Sequence, residues 1–238
     1  MHHLIRKILN PAILIQRLTA IKMSEWDSLV NSILNCKRCR LSQYRRNPVP
    51  GEGNVNAGVM FIGEAPGEKE DETGRPFVGA AGKLLTELIE STGFKRGDVY
   101  ITNIVKCRPP GNRDPEDDEI ESCLPYLLKQ IELIKPRLIV ALGRHAARTL
   151  FRLGGLKWVN MSMMHGRPYN AVINGLQVVI IPTFHPAAAL YNPGLKDELR
   201  RDFEEVIKKH MSQAIKASTG VKARGKTILD FLNDSSRR

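Results

Sequence analysis

The sequence predicts an α/β fold: a parallel sheet with helices packed on both of its faces. Four short runs rich in β-branched and other apolar residues recur at 58–63 (GVMFIG), 98–103 (DVYITN), 137–143 (RLIVALG) and 178–183 (VVIIPT). Each is apolar throughout rather than alternating, as expected of a strand buried on both faces. Helix-period segments separate them at 80–92, 115–134 and 144–153, and another follows at 195–210. Strands alternating with helices imply parallel pairing, because the chain must cross back over the sheet to start each new strand.

The 238 residues, 42% of them apolar, suffice for one well-buried domain with unstructured ends. No apolar run reaches the ~18 residues of a membrane span. The patchily apolar stretch 4–18 is interrupted by Asn10, Pro11, Gln16 and Arg17 and is followed by no small-residue cleavage site, so a cytoplasmic protein without a signal peptide is expected. Ser24 to Asp27 (SEWD) reads as a capping box opening a helix. Met23 then serves as a start, with 1–22 an N-terminal extension, 23–210 the folded domain and 211–238 a basic, flexible tail.

The formal charge is +11, but it is unevenly spread. Residues 1–24 carry +4 and residues 206–238 carry +6, leaving +1 for everything between. Basic ends bind phosphate or simply keep a chain soluble, and charge alone does not separate the two.

Four cysteines in a chain without a secretion signal point to ligation rather than disulfides. Cys36 and Cys39 form a C-x-x-C pair, and Cys107 and Cys123 complete a set of four. From spacing alone a structural zinc stands ahead of an iron–sulfur cluster, since both accept four thiolates.

The unusual residues follow the strands directly. Gly63-Glu64-Ala65-Pro66-Gly67, Asn103, and Phe184-His185-Pro186 each sit at a strand's carboxyl end. In an open parallel sheet those ends share one crevice, where ligands bind. No Walker lysine or GxGxxG strand–helix unit is present, which argues against nucleotide hydrolysis.

GEAPG at 63–67, TGRPFVGAAG at 73–82, TNIVKCRPP at 102–110 and FHPAAAL at 184–190 resemble, in order, the family 4 (thermophile-type, iron–sulfur) uracil-DNA glycosylases. The resemblance spans about Cys36 to Asp202 and includes the cysteines. It implies a three-layer α/β/α sandwich around a four-stranded parallel sheet, and a [4Fe–4S] cluster of structural role on Cys36, Cys39, Cys107 and Cys123. It also implies uracil-containing DNA as substrate, hydrolysis of the deoxyuridine N-glycosidic bond in base excision repair, and a monomer. A sister family carries an apolar residue where Glu64 stands, so Glu64 favours family 4.

By the same resemblance the uracil site comprises Gly63, Glu64, Ala65, Phe77, Asn103 and His185. Asn103 pairs with the uracil edge, Phe77 stacks on it, His185 donates to O2, and Glu64 orients water or the loop. Leu190 and Tyr191 form a wedge, although Asn192-Pro193-Gly194 departs in length from the family. Lys106, Arg108 and Arg113 are expected along the DNA phosphates. The alternative is a non-catalytic iron–sulfur DNA-binding or redox protein, which has no need of Glu64, Asn103, Phe77 and His185 together.

Ile228, Phe231 and Leu232 on the basic tail resemble the motif that docks on sliding DNA clamps, with Gly225 in place of the usual leading glutamine.

Overall fold

A computed structural model describes residues 11–220, with side chains described over 16–217 apart from Arg17. Among these, no helix is long and apolar enough to cross a membrane. The clamp-like residues Ile228, Phe231 and Leu232 lie outside the described residues.

Helix α1 (Pro11–Leu34) leads through a 3₁₀ turn to β1 (Glu52–Gly53) and β2 (Val59–Gly63). Then come α2 (Glu68–Thr73), α3 (Ala80–Ser91), β3 (Tyr100–Asn103), α4 (Asp117–Ile134), β4 (Leu138–Leu142) and α5 (Arg144–Leu153). The chain continues with α6 (Met161–Met164), β5 (Tyr169–Ile173), β6 (Leu176–Thr183), α7 (Pro186–Tyr191) and α8 (Pro193–Arg201). A π-helical turn (Asp202–Ile207) joins α8 to α9 (Lys208–Gly220).

The sheet runs β1-β3-β2-β4-β6-β5. Its centre, β3-β2-β4-β6, is the expected parallel four-stranded unit. Two antiparallel edge strands, β1 on β3 and β5 on β6, enlarge it to six. The extra β5 comes from a hairpin whose turn residues Asn174 and Gly175 hold φ of 48° and 76°, the geometry that Asn-Gly favours between strands.

Alternate side chains of each central strand serve opposite faces. Val59 and Phe61 of β2 pack with Leu84, Leu85, Leu88, Phe203 and Ile207 beneath α3 and the C-terminal helices. Met60 and Ile62 pack on the other side with Ile33, Leu127, Ile131 and Phe151, from α1, α4 and α5. Both layers are therefore dry, which is why the strands read as unbroken apolar runs.

Two helix boundaries differ from the sequence expectation. Ser24 lies inside α1 rather than at its start; Trp26, Leu29 and Ile33 make a buried stripe whose packing outweighs a local cap signal. Lys22, in the expected extension, donates to Val55 O at 3.0 Å and Asn56 Oδ1 at 2.7 Å. At the other end helix continues past Met211 to Gly220, because Met211 and Ala214 are buried against the sheet layer.

Candidate functional site

Gly63 and Asn103 end adjacent strands and pair in register. The ladder runs on, with Ile104 N–H donating to Gly63 O (2.9 Å) and Val105 N–H to Glu64 O (3.1 Å). A Cβ on residue 63 would lie 2.4 Å from Asn103 Oδ1 and 2.6 Å from Phe77 Cζ. Glycine is thus what lets the carboxamide and the ring meet over the strand end.

Asn103 is 1% exposed, and its Oδ1 is buried without a hydrogen-bond partner among the described residues. Such an orphan acceptor costs about 1–3 kcal/mol in a folded protein, so it persists where something else is served. Phe77 stands beside it with φ of 51°, a left-handed conformation that bulky residues avoid. Its carbonyl presses so near Gly82 that a Cβ there would lie 1.9 Å from it.

Glu70 holds the two loops that shape this wall. Its Oε2 accepts from Gly67 N–H (3.1 Å), and its Oε1 from Val78 N–H (2.9 Å) and Gly79 N–H (3.1 Å). Sequence reasoning missed this residue: a glutamate at the third position of a helix can reach back to the N-cap N–H, but Gly67 lacks the side chain that completes a capping box.

His185 caps α7, its Nδ1 accepting from Ala187 N–H at 3.2 Å. The neutral ring therefore carries its proton on Nε2. Burial pushes its pKa down to about 4, against a small opposing effect of Glu70. The ring tilts 33° to Phe77 with centroids 5.7 Å apart. Across the pocket, burial lifts the Glu64 carboxyl above the usual range, and the nearby His145 opposes that.

Glu64, Ala65, Phe77, Asn103 and His185 line one cavity of about 360 Å³, together with Glu70 and the loop residues Pro109, Asn112 and Arg113. Three motifs distant in sequence thus share one crevice at the carboxyl ends of the strands, with polar groups of both kinds around an aromatic wall.

The expected phosphate contacts fare differently. Lys106 is 1% exposed, and its Nζ donates to Thr102 Oγ1 (2.7 Å), Asn103 O (2.6 Å) and Gln130 Oε1 (2.7 Å). It is an internal brace behind Asn103 and cannot meet DNA. Arg113 is drawn into bidentate pairing with Glu119 (2.8 and 2.6 Å). Arg108, half-buried at the rim, donates to Asn112 Oδ1 at 2.7 Å. Leu190 and Tyr191 end α7 at 40% and 90% exposure, large apolar groups held out to solvent one and a half turns after His185.

The four cysteines come from three places: the end of α1 and the turn after it, the loop following β3, and α4. They line one enclosed cavity with Lys106 and Tyr126. Lys106 N–H points to Cys123 Sγ (3.2 Å), Arg38 N–H to Cys36 Sγ (3.5 Å) and the Arg45 guanidinium to Cys107 Sγ (2.9 Å). Burial pushes the Cys123 thiol up to about 12 and raises Cys39 and Cys107 as well, so thiolates here require a positive centre. Among the described residues, the set of three or more ligand atoms mutually within 4.8 Å is Glu64, Asp114 and His145.

A family model described as the uracil DNA glycosylase superfamily matches residues 50–209. A type-4 uracil-DNA glycosylase of Saccharolobus solfataricus is 52% identical over 77% of this chain and 86% of its own. One from Thermotoga maritima is 48% identical over 76% and 90%. A type-5 uracil-DNA glycosylase of Pyrobaculum aerophilum is more distant, 33% identical over 71% and 85%.

Proposed function

The chain belongs to the type-4 uracil-DNA glycosylases and excises uracil from DNA, and we propose that it does so by reading the flipped base with Asn103 and stabilising the departing base with neutral His185. The observation that carries this is the orphaned Asn103 Oδ1, buried beside the Phe77 ring. Uracil N3–H is the donor that acceptor lacks, and the same carboxamide's Nδ2 can donate to O4. Cytosine offers an acceptor at N3 and a donor at C4, leaving both sides unmatched, worth on the order of 10⁴-fold in discrimination.

The base enters by leaving the stack, and Phe77 receives its face, with stacking worth roughly 1–3 kcal/mol. As C1′–N1 breaks, the electron pair moves to the base and negative charge grows at O2. His185 Nε2–H donates there. It is already neutral at working pH, so the donor is in place before the charge appears. Backbone at Gly63, Glu64 and Ala65 borders the same edge. Glu64 orients the water whose oxygen bonds to C1′ and whose proton is released.

Leu190 and Tyr191 fill the gap in the duplex, and Arg108 touches phosphate. Cys36, Cys39, Cys107 and Cys123 hold a [4Fe–4S] cluster; bound there, it cross-links the segments around the loop that follows Asn103. Four thiols in one enclosed cavity and backbone N–H groups on sulfur support that assignment. The enzyme acts as a monomer in the cytoplasm, where thiols stay reduced for ligation. The Ile228, Phe231 and Leu232 segment docks on a sliding clamp.

The test is single-turnover excision from a labelled single-uracil oligonucleotide. His185→Ala and Asn103→Ala are each expected to lose roughly 10²- to 10³-fold, the usual effect of removing one aimed polar group. Variants that fold and excise within twofold of the wild type would remove both assignments.

A further inference from the structure

The Glu64 carboxylate, 23% exposed, meets His145 Nε2 at 4.0 Å. That same nitrogen lies 3.0 Å from Asp114 Oδ2. Asp114 stands in the loop before α4 and His145 in the first turn of α5, so three separate elements converge on one imidazole nitrogen. Arg144 completes the group: its Nε is 3.0 Å from His145 Nε2 and its NH2 nitrogen 2.7 Å from Asp114 Oδ2.

These contacts cannot all hold in one protonation state. With Nε2 bare, it accepts from Arg144 and leaves Glu64 facing a neutral ring. With Nε2 protonated, it donates to Asp114, and once Nδ1 is protonated too the cationic ring sits between two carboxylates. Arg144 already places a protein cation beside Asp114 in this cluster.

We propose that His145, anchored by Asp114, is a positioning residue for uracil excision that keeps the Glu64 carboxylate ionised and fixed at the pocket mouth. This rests on Glu64 acting in the pocket as proposed above. Burial alone favours the neutral carboxylic acid at Glu64; His145 opposes it most, with Arg144 acting in the same sense and Asp114 against. An uncharged Glu64 accepts from water more weakly and carries no charge to favour the developing sugar cation. Removing His145 returns Glu64 to its buried, proton-holding tendency, so activity fails at a higher pH than in the wild type.

The experiment is the pH profile of single-turnover excision, from pH 5 to 8, for the wild type, His145→Gln, Glu64→Gln and the double variant. His145→Gln is expected to lose roughly tenfold at pH 5 and less than about twofold at pH 8, with its acid limb displaced upward. In the Glu64→Gln background the His145 substitution should add nothing. A pH-independent loss in His145→Gln or full additivity in the double variant would each overturn the proposal. If Glu64→Gln excises normally while Asn103→Ala does not, the Glu64 role and this inference fail together and the uracil pocket stands. Excision untouched in Asn103→Ala would instead fault the pocket assignment itself.

Discussion

Asn103 and His185 do opposite things with a polar atom in a dry place. Asn103 keeps an acceptor unpaired; His185 satisfies one nitrogen on Ala187 and keeps the other for the pocket. The second choice has a thermodynamic signature. An unfolded histidine takes up a proton near pH 6.5, whereas the native His185 refuses it down to about 4. Between those values the unfolded chain binds the extra proton, so stability is unaffected above about pH 6.5 and falls as pH drops toward 4. Urea unfolding of the wild type and His185→Gln at pH 7 and 4.5 should show a smaller loss in the variant; equal losses would mean the native imidazole titrates normally. Both residues were legible in the sequence because each ends an unbroken apolar strand. Lys106 was not, since a lysine braced by Thr102 and Gln130 looks like any other lysine until the chain folds. Asp114 and His145 gave no signal either: only tertiary contact brings them to Glu64.

At the scale of elements, the central strands and α3, α4 and α5 stood out because both sheet faces are buried and the helices carry one apolar stripe each. What escaped notice was local. Strand β5 has half-exposed alternation, so the Asn174–Gly175 turn was its clearest sign, and α1 overrode the cap at Ser24 through Trp26, Leu29 and Ile33. The loops after β2 are the least regular part of the site and hang on one side chain. Glu70 accepts three backbone N–H groups from Gly67, Val78 and Gly79, and without it those donors face a partly dry interface. Glu70→Ala should cost roughly 2–3 kcal/mol of stability and reduce excision further than it reduces folding, because Phe77 immediately precedes the anchored pair. Urea titration and single-turnover kinetics on the same preparation check both. A stability change under about 0.5 kcal/mol, typical of an unconstrained surface position, would show that the loops are held by other means.

For the whole molecule, the open question of the sequence was which centre the four cysteines hold, because spacing carries no distances. Folding brings Cys36 and Cys39 from the turn after α1, Cys107 off β3 and Cys123 on α4 into one cavity. A group bound there ties the α1–α4 layer to the strand end that bears Asn103. The raised thiols say what its loss would do: Cys123, with its thiol pushed to about 12, reverts to a neutral group, and the link between layers is gone. Cys123→Ser should therefore abolish the visible iron–sulfur absorbance and lower Tm by about 10 °C or more, the equivalent of about 3–5 kcal/mol in a chain of this size. Excision measured at 25 °C, well below the lowered Tm, separates the two ways that loss could act. Activity retained in proportion to the folded fraction means the centre only stabilises. Activity lost in folded protein means it also sets the path of the loop after Asn103. A Tm within 2 °C of the wild type despite loss of iron would show that the α1–α4 layer stands without the centre.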